Sequence, residues 1–351
     1  MLYSAGMLSQ GTHYLKLQLL WCSLGLIACL FVTFIDYKHL KKAAPFFFVI
    51  ALVLLALVMA KAGSRNGAKR WLIYGGFSFQ PSEAAKIALI VALASYGSRF
   101  QRLMPTFTYG LVFPGLIVVS IVSLIFVEPD RGTTILLAAV TFSMLLVAGS
   151  NMKFVIPCAI AGVAALIVSI LNDPMRLGRI MAWLHPQDSK AGTGYQAWHA
   201  TLALGAGGTT GLGLGSGRQK LGFIPEQHTD FIFSMVGEEL GLIATLSVVA
   251  VFFVFVICGT IISLRARDRF GLLLGTGLTF LIGFQAFINI GVVTSLLPNK
   301  GLALPFVSYG GSSLLMTLIC VGILLSIAVH AELQDEEEPE FKKERRSNVF
   351  A

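Results

Sequence analysis

Nine apolar runs, each long enough to cross the hydrocarbon of a bilayer, leave this chain few folds to choose from. They cover roughly residues 17–35, 45–61, 80–97, 109–127, 133–149, 154–171, 229–258, 270–296 and 304–330. About 20 residues of α-helix match the thickness of a bilayer core. Within it every backbone N–H and C=O must find its partner inside the protein, which a helix achieves alone. The expected fold class is therefore all-α, a polytopic membrane helix bundle of about nine transmembrane helices.

The amino-acid usage agrees. Only 13% of residues are charged and 56% are hydrophobic, with a mean hydropathy of +0.79, whereas soluble domains carry about 25% charged residues. The net charge of +8 would suit nucleic acid, but the cations sit in short loops, so no nucleic-acid partner is expected. Cys22, Cys29, Cys158, Cys258 and Cys320 lie in apolar runs without metal-ligand spacing. Met1–Tyr14 is polar and small and has no charged start of a cleavable signal peptide. Loop cations fall almost evenly on the two sides. The RARDR cluster at Arg265–Arg269 and the charged tail set those ends inside.

Two outer segments stand out. Gly63–Gln80 is basic and glycine-rich, with Trp71 and Tyr74 as interfacial anchors. Residues 172–228 form a large extracytoplasmic loop, far longer than an ordinary connection. Its run GAGGTTGLGLGSG (Gly205–Gly217) follows no strand and fits no nucleotide-binding spacing, so its glycines are read as letting the loop re-enter the membrane edge. The domain organisation is a transmembrane domain over 1–331 and a charged, disordered cytoplasmic tail over 332–351.

The stretch LGFIPEQHTDFIFSMVGEELG (Leu221–Gly241) gathers Glu226, His228, Asp230, Glu238 and Glu239 within a few helical turns. Each acid costs roughly 2.5–3.5 kcal/mol at the centre of a membrane helix, so such a concentration points to use. Asp230, at the outer start of the seventh run, reads either as a general base or as a helix N-cap, and the roles are compatible. Glu226 and His228 read as polar loop residues or as supports of Asp230. Glu238 and Glu239 lie about 12 to 13.5 Å deeper at 1.5 Å per residue. With Lys86 of the third run they form an expected internal ion-pair network. Asp130 reads as a helix cap with Arg131 beside it, and Ser308–Ser313 as a small-residue packing face. Ser150–Lys153 fits an S-x-x-K pattern but sits at an inner helix end without companion motifs.

Several longer motifs carry a resemblance. They are NGAKRW (Asn66–Trp71), FQPSEAAK (Phe79–Lys86), EPDRGTT (Glu128–Thr134) and GTGYQ (Gly192–Gln196). The two longest are GLGLGSGRQKLGFIPEQHTDFIFSMVGEELG (Gly211–Gly241) and NIGVVTSLLPNKGLALPFVSYGGSS (Asn289–Ser313). Across nearly all its hydrophobic region the chain resembles the FtsW/RodA (SEDS) proteins of bacterial cell-wall synthesis. Gly215–Lys220 and Leu297–Gly301 look like the FtsW, or division, branch. The resemblance implies ten transmembrane helices with both ends inside. Nine are counted here, and Met1–Tyr14 looks like the loop after the first.

What the resemblance implies is a glycosyltransferase that polymerises lipid II on the outer face of the cytoplasmic membrane. The acceptor is a sugar hydroxyl and the leaving group a lipid diphosphate. Asp230, in the HTDF motif, is the implied base. Substrate contacts are expected from Arg70, Lys220, Lys300, Glu226 and His228, with Lys86 a further candidate. Charge on the diphosphate requires cations or a metal. A divalent cation (Mg or Mn) would suit, although no metal-ligand cluster is visible. The implied partners are lipid II, a class B penicillin-binding protein acting as transpeptidase, and other division proteins. Two other readings stay open: a lipid II flippase without catalysis, with essential charges spread through the membrane depth, and an elongation-type, RodA-like role in cell shape. A passive division scaffold fits the clustered acids poorly.

Overall fold

The structure, a computed structural model, describes residues 13–61, 63–65, 68–74, 77–187, 192, 194–218 and 229–336. Helices α1 (His13–Phe34) and α2 (Lys38–Lys61) lead into three short strands, β1 (Gly63–Arg65), β2 (Ala68–Tyr74) and β3 (Phe77–Phe79). These form an antiparallel sheet in the order β1-β2-β3, with Leu72 opposite Phe79. The outer segment expected as a loop is thus a small sheet, the one departure from an all-α chain among the described residues. Then come α3 (Pro81–Arg99), a π-turn (Thr108–Val112) running into α4 (Phe113–Val127), α5 (Arg131–Ala148) and α6 (Met152–Leu171). The short α7 (Pro174–Leu184) and α8 (Tyr195–Gly207) follow within the expected large loop, and α8 packs into the bundle with Ala200 and Ala203 buried. The chain returns through α9 (Ile232–Arg265), α10 (Arg269–Val293) and α11 (Gly311–Glu336). Helix α11 carries on through Glu336, so the tail expected to be disordered from residue 332 begins with helix.

Among the described residues, eight helices are long and apolar enough to cross a membrane. The ninth expected span, α3, is 19 residues long but holds Glu83 and Lys86. It can be less apolar because it lies inside the bundle, burying Ala85, Leu89, Ile90, Val91 and Ala94. Helix α10 shares that position, with Leu273, Leu274, Leu278 and Ile282 buried in the same core. By contrast α6 buries only Val155.

Local chemistry sets the helix ends. Pro81 opens α3, where its missing N–H costs nothing. Asp130 caps α5, accepting from Thr133 N at 3.1 Å and from Thr133 Oγ1 at 3.0 Å. Asp268 caps α10 through Gly271 N. Gly149 ends α5 in the left-handed region at φ 85°.

Helix α9 is broken inside the bundle. Gly241 has φ 78° and ψ −172°, a conformation favoured only by glycine. The break leaves the carbonyls of Glu238 and Glu239 without helical donors, and the glycine run supplies them. Leu212 N and Gly213 N donate to those carbonyls at 3.0 Å each, while Leu242 N and Ile243 N donate to Gly208 O and Thr209 O. This exchange satisfies irregular backbone at membrane depth. It also explains the glycine at position 211, since a Cβ there would stand 2.3 Å from Glu239 O.

Candidate functional site

Asp230 lies in the turn Thr229–Phe231 that opens α9, and the N-cap of that helix is Phe231. The N-cap position is thus one residue after Asp230, and the Phe231 side chain makes no cap hydrogen bond there. The turn is instead fixed from behind. Asn289 of α10 is 1% exposed, and its amide Nδ2 donates to Asp230 O at 2.8 Å and to Leu302 O at 2.6 Å. Ser308 Oγ donates to Thr229 O at 2.6 Å and accepts from Leu304 N at 2.7 Å. Gln18 of α1 is also buried and secures the same loop, donating to Ser308 O and accepting from Gly310 N. Asn289 of α10 and Gln18 of α1, with Ser308 in the loop itself, thus hold the Asp230 turn against the loop between α10 and α11.

Gly301 of that loop faces the carboxylate itself. A Cβ there would stand 2.6 Å from Asp230 Oδ2, so only glycine leaves the carboxylate its place. Lys300, next in sequence, is partly buried, and its amine is held below the ordinary lysine value. Burial is the main cause, followed by the positive charges of Arg131, Arg176 and Arg179. Arg131 donates to Ser169 Oγ and stacks on Phe126, 3.7 Å from the ring centroid. Arg176 is paired with Asp173 at 3.1 Å. Four cations therefore converge beside the Asp230 loop, and such a concentration favours a polyanionic ligand.

A match to family sequence models decides the kinship. The FTSW_RODA_SPOVE cell cycle protein family matches residues 1–333. This chain belongs to the FtsW/RodA/SpoVE family. It is 40% identical over 320 residues to a probable peptidoglycan glycosyltransferase FtsW of Geobacter metallireducens, covering 91% of this chain and 85% of the relative. Its fold matches a solved peptidoglycan synthase complex, described as coordinating polymerization and crosslinking, with a TM-score of 0.80 at 26% identity over 93% of both chains. It also matches the rod shape determining protein RodA of Thermus thermophilus, with a TM-score of 0.69 at 25% identity over 93% of this chain and 91% of that one. The protein is a multi-pass membrane protein.

Against this family background the expected site residues separate. The loop that carries Lys300 meets the Asp230 carboxylate at the next residue, Gly301. Lys220, Glu226 and His228 lie outside the described residues. Arg70 is directed elsewhere, with Nε donating to Glu128 O at 2.9 Å, Nη2 to Pro129 O at 2.7 Å and Nη1 3.9 Å from Asp130 Oδ2. It clamps the turn that leads into Arg131. The expected ion-pair network of Lys86 with Glu238 and Glu239 does not form. Lys86 Nζ bonds Glu83 on its own helix at 2.9 and 3.0 Å and Gln285 Oε1 at 3.0 Å. The i, i+3 spacing puts Glu83 on the same helix face. Glu238 and Glu239 serve the glycine run: Oε1 of Glu238 accepts from Arg218 N at 2.7 Å and Oε2 of Glu239 from Gly215 N at 3.1 Å. Ser308 was read as packing and acts as a brace, while Gly311 does provide close approach, a Cβ there meeting Trp21 at 2.3 Å.

Sequence reasoning missed Asn289, Ser308 and Gln18 as braces, and Arg176 and Arg179 as neighbours of Lys300. An Asn or Gln inside an apolar run was the available signal, since buried polar groups are kept where they are bonded. Among the described residues no three His, Cys, Asp or Glu side chains gather as a metal site.

Proposed function

We infer that this chain is a peptidoglycan glycosyltransferase of cell division, polymerising lipid II on the outer face of the cytoplasmic membrane. The observation that carries this is the braced Asp230 turn with its carboxylate against Gly301, the residue after Lys300, in a chain 40% identical to a relative named for that activity. In the reaction an acceptor sugar hydroxyl attacks the anomeric carbon of the donor sugar. Its proton passes to Asp230, the new glycosidic bond forms, and the bond from the anomeric carbon to the diphosphate oxygen breaks. Asp230 acts as general base, a role worth about 10²–10⁴-fold. Lys300, with Arg131 and Arg179 near it, meets the negative charge left on the lipid diphosphate.

The flippase reading placed its essential charges at Lys86, Glu238 and Glu239. These groups have structural work instead, a pairing to Glu83 and Gln285 and the anchoring of the glycine run. The solved complex that couples polymerization to crosslinking supports the further proposal that this chain works beside a class B penicillin-binding protein and other division proteins.

The test is polymerisation of purified lipid II by wild type and by Asp230→Asn, each with the transpeptidase partner. We expect polymer from wild type and at least 10²-fold less from the variant. Equal polymer from both would remove Asp230 from the chemistry.

A further inference from the structure

Beside the Asp230 loop, on the outer side of the bundle, α7, α8 and residues 295–299 enclose a second feature, a cleft lined by Arg179, Trp183, Trp198, Thr201, Ser295 and Asn299. Its walls are tied together by side chains. Trp183 Nε1 donates to Ser295 O at 2.9 Å, Thr201 Oγ1 and Ser295 Oγ share a hydrogen bond of 3.0 Å, and Asn299 Nδ2 donates to Gln196 Oε1 at 3.2 Å. A cleft braced on three sides keeps its shape before a ligand arrives, which lowers the ordering cost of binding.

The lining is of a particular kind. Two indoles offer broad apolar faces with polar edges, and amide, hydroxyl and carbonyl groups surround them. Among the described residues no carboxylate lines the cleft, and the one charged side chain is Arg179. An acyl chain would use none of these polar groups, and a cationic ligand would be repelled by the arginine. A pyranose ring presents an apolar C–H face bordered by hydroxyl and acetamido groups, so its surface complements this one. Position agrees with composition: Asn299 is two residues before Gly301, at most about 7 Å away along an extended chain, and Gly301 touches the Asp230 carboxylate.

We propose that this cleft is a saccharide subsite that holds an N-acetylated sugar of the glycan strand beside the Asp230 site. The proposal rests on the glycosyltransferase reading and deepens it, because polymerisation needs a place for the strand as well as for the lipid-linked sugar. The competing role for Trp183, which is 37% exposed, is that of an interfacial anchor in the lipid headgroups.

The experiment uses the full chain in lipid nanodiscs. Its probe is a lipid-free tetrasaccharide of alternating N-acetylglucosamine and N-acetylmuramic acid, with maltotetraose as control, read by tryptophan fluorescence and by saturation-transfer NMR. Wild type and Asp230→Asn should both bind the probe saturably and ignore maltotetraose. Trp183→Ala and Asn299→Ala should each weaken binding at least tenfold, and Trp183→Phe, which keeps an aromatic face, should recover part of it. Should Trp183→Ala lower the thermal midpoint of the protein, Asn299→Ala and Thr201→Val decide the matter by NMR. No saturable response in wild type, or equal affinity in every cleft variant, would overturn the subsite and leave Trp183 as an anchor. Lipid II polymerisation on the same preparations separates the two claims. Polymerisation intact without saccharide binding sinks the subsite alone, whereas binding intact without wild-type polymerisation sinks the glycosyltransferase reading.

Discussion

Asp230, in the turn that opens α9, and the pair Glu238–Glu239 on that helix lie eight and nine residues apart in sequence, yet the fold treats them in opposite ways. At Asp230 the protein bonds the backbone: Asn289 and Ser308 hold the carbonyls of residues 230 and 229, and the carboxylate is left beside Gly301 and the cation-rich loop. At Glu238 and Glu239, both 1% exposed, carbonyls and carboxylates alike are bonded to the amides of the glycine run. One acid has a fixed position at the bundle's outer mouth. The others are structural acceptors that hold a broken helix and its loop together. Acidity on a membrane helix therefore does not by itself mark chemistry. What distinguishes the two is where the described bonds fall: on the backbone carbonyls at residues 229 and 230, and on the carboxylates as well as the carbonyls at Glu238 and Glu239.

The largest effect expected from this contrast is the loss of polymerisation in Asp230→Asn with an unchanged thermal midpoint. Next in size is Gly301→Ala. Its methyl would stand 2.6 Å from Asp230 Oδ2, and a shift of about 1 Å at a reacting group costs roughly 10²-fold in rate. Single-turnover rates should fall with little change in stability, and a rate within twofold of wild type would show that the carboxylate need not keep its place. Glu238→Ala should do the reverse. Leaving Arg218 N without its acceptor costs on the order of 1–3 kcal/mol, seen as a lower thermal midpoint and faster proteolysis within the glycine run. If stability held while catalysis failed, the contrast between the acids would collapse.

The smallest effect concerns Glu128, whose side chain is buried with Oε1 unpartnered among the described residues. Burial first, and then the charge of Asp130, push its carboxyl up to about 7, with Arg70 pulling the other way. A carboxyl raised in the fold holds a proton that the unfolded chain has already lost. Stability is then greatest at acid pH and falls as pH rises from about 4.5 to about 7, by on the order of 1–3 kcal/mol. Thermal unfolding at pH 5.5 and pH 8 should show this slope in wild type and a flatter one in Glu128→Gln. Equal slopes would mean that Glu128 ionises without cost.

Much of the architecture could be read from the chain alone because bilayer physics gives hydrophobic length a direct structural meaning. Helix α3 shows where that rule gives out. Its run was recognised, but Lys86 was assigned to Glu238 or Glu239, when the partner stood three residues away on the same helix. Choosing among several buried acids requires knowing which helices adjoin, and no local pattern encodes that. The sheet over residues 63–79 escaped notice because its strands are only three, seven and three residues long, too short to show a clear alternation.

At the site itself, the sequence by itself determined which residues could do the chemistry: an aspartate at the outer start of a membrane helix, and a lysine in a conspicuous loop before the last one. Charges that are costly in hydrocarbon are sparse, and sparse signals are easy to see. Only the tertiary structure decided which of those charges gather at the candidate site and which are bonded into the scaffold. It brought Gly301 to the carboxylate of Asp230, gathered Arg131, Arg176 and Arg179 around Lys300, and turned Arg70 and Glu238 to structural work. The reason is physical: hydrogen bonds and like-charge crowding act over a few ångströms, and residues separated by 70 or more positions come that close only when the bundle is assembled.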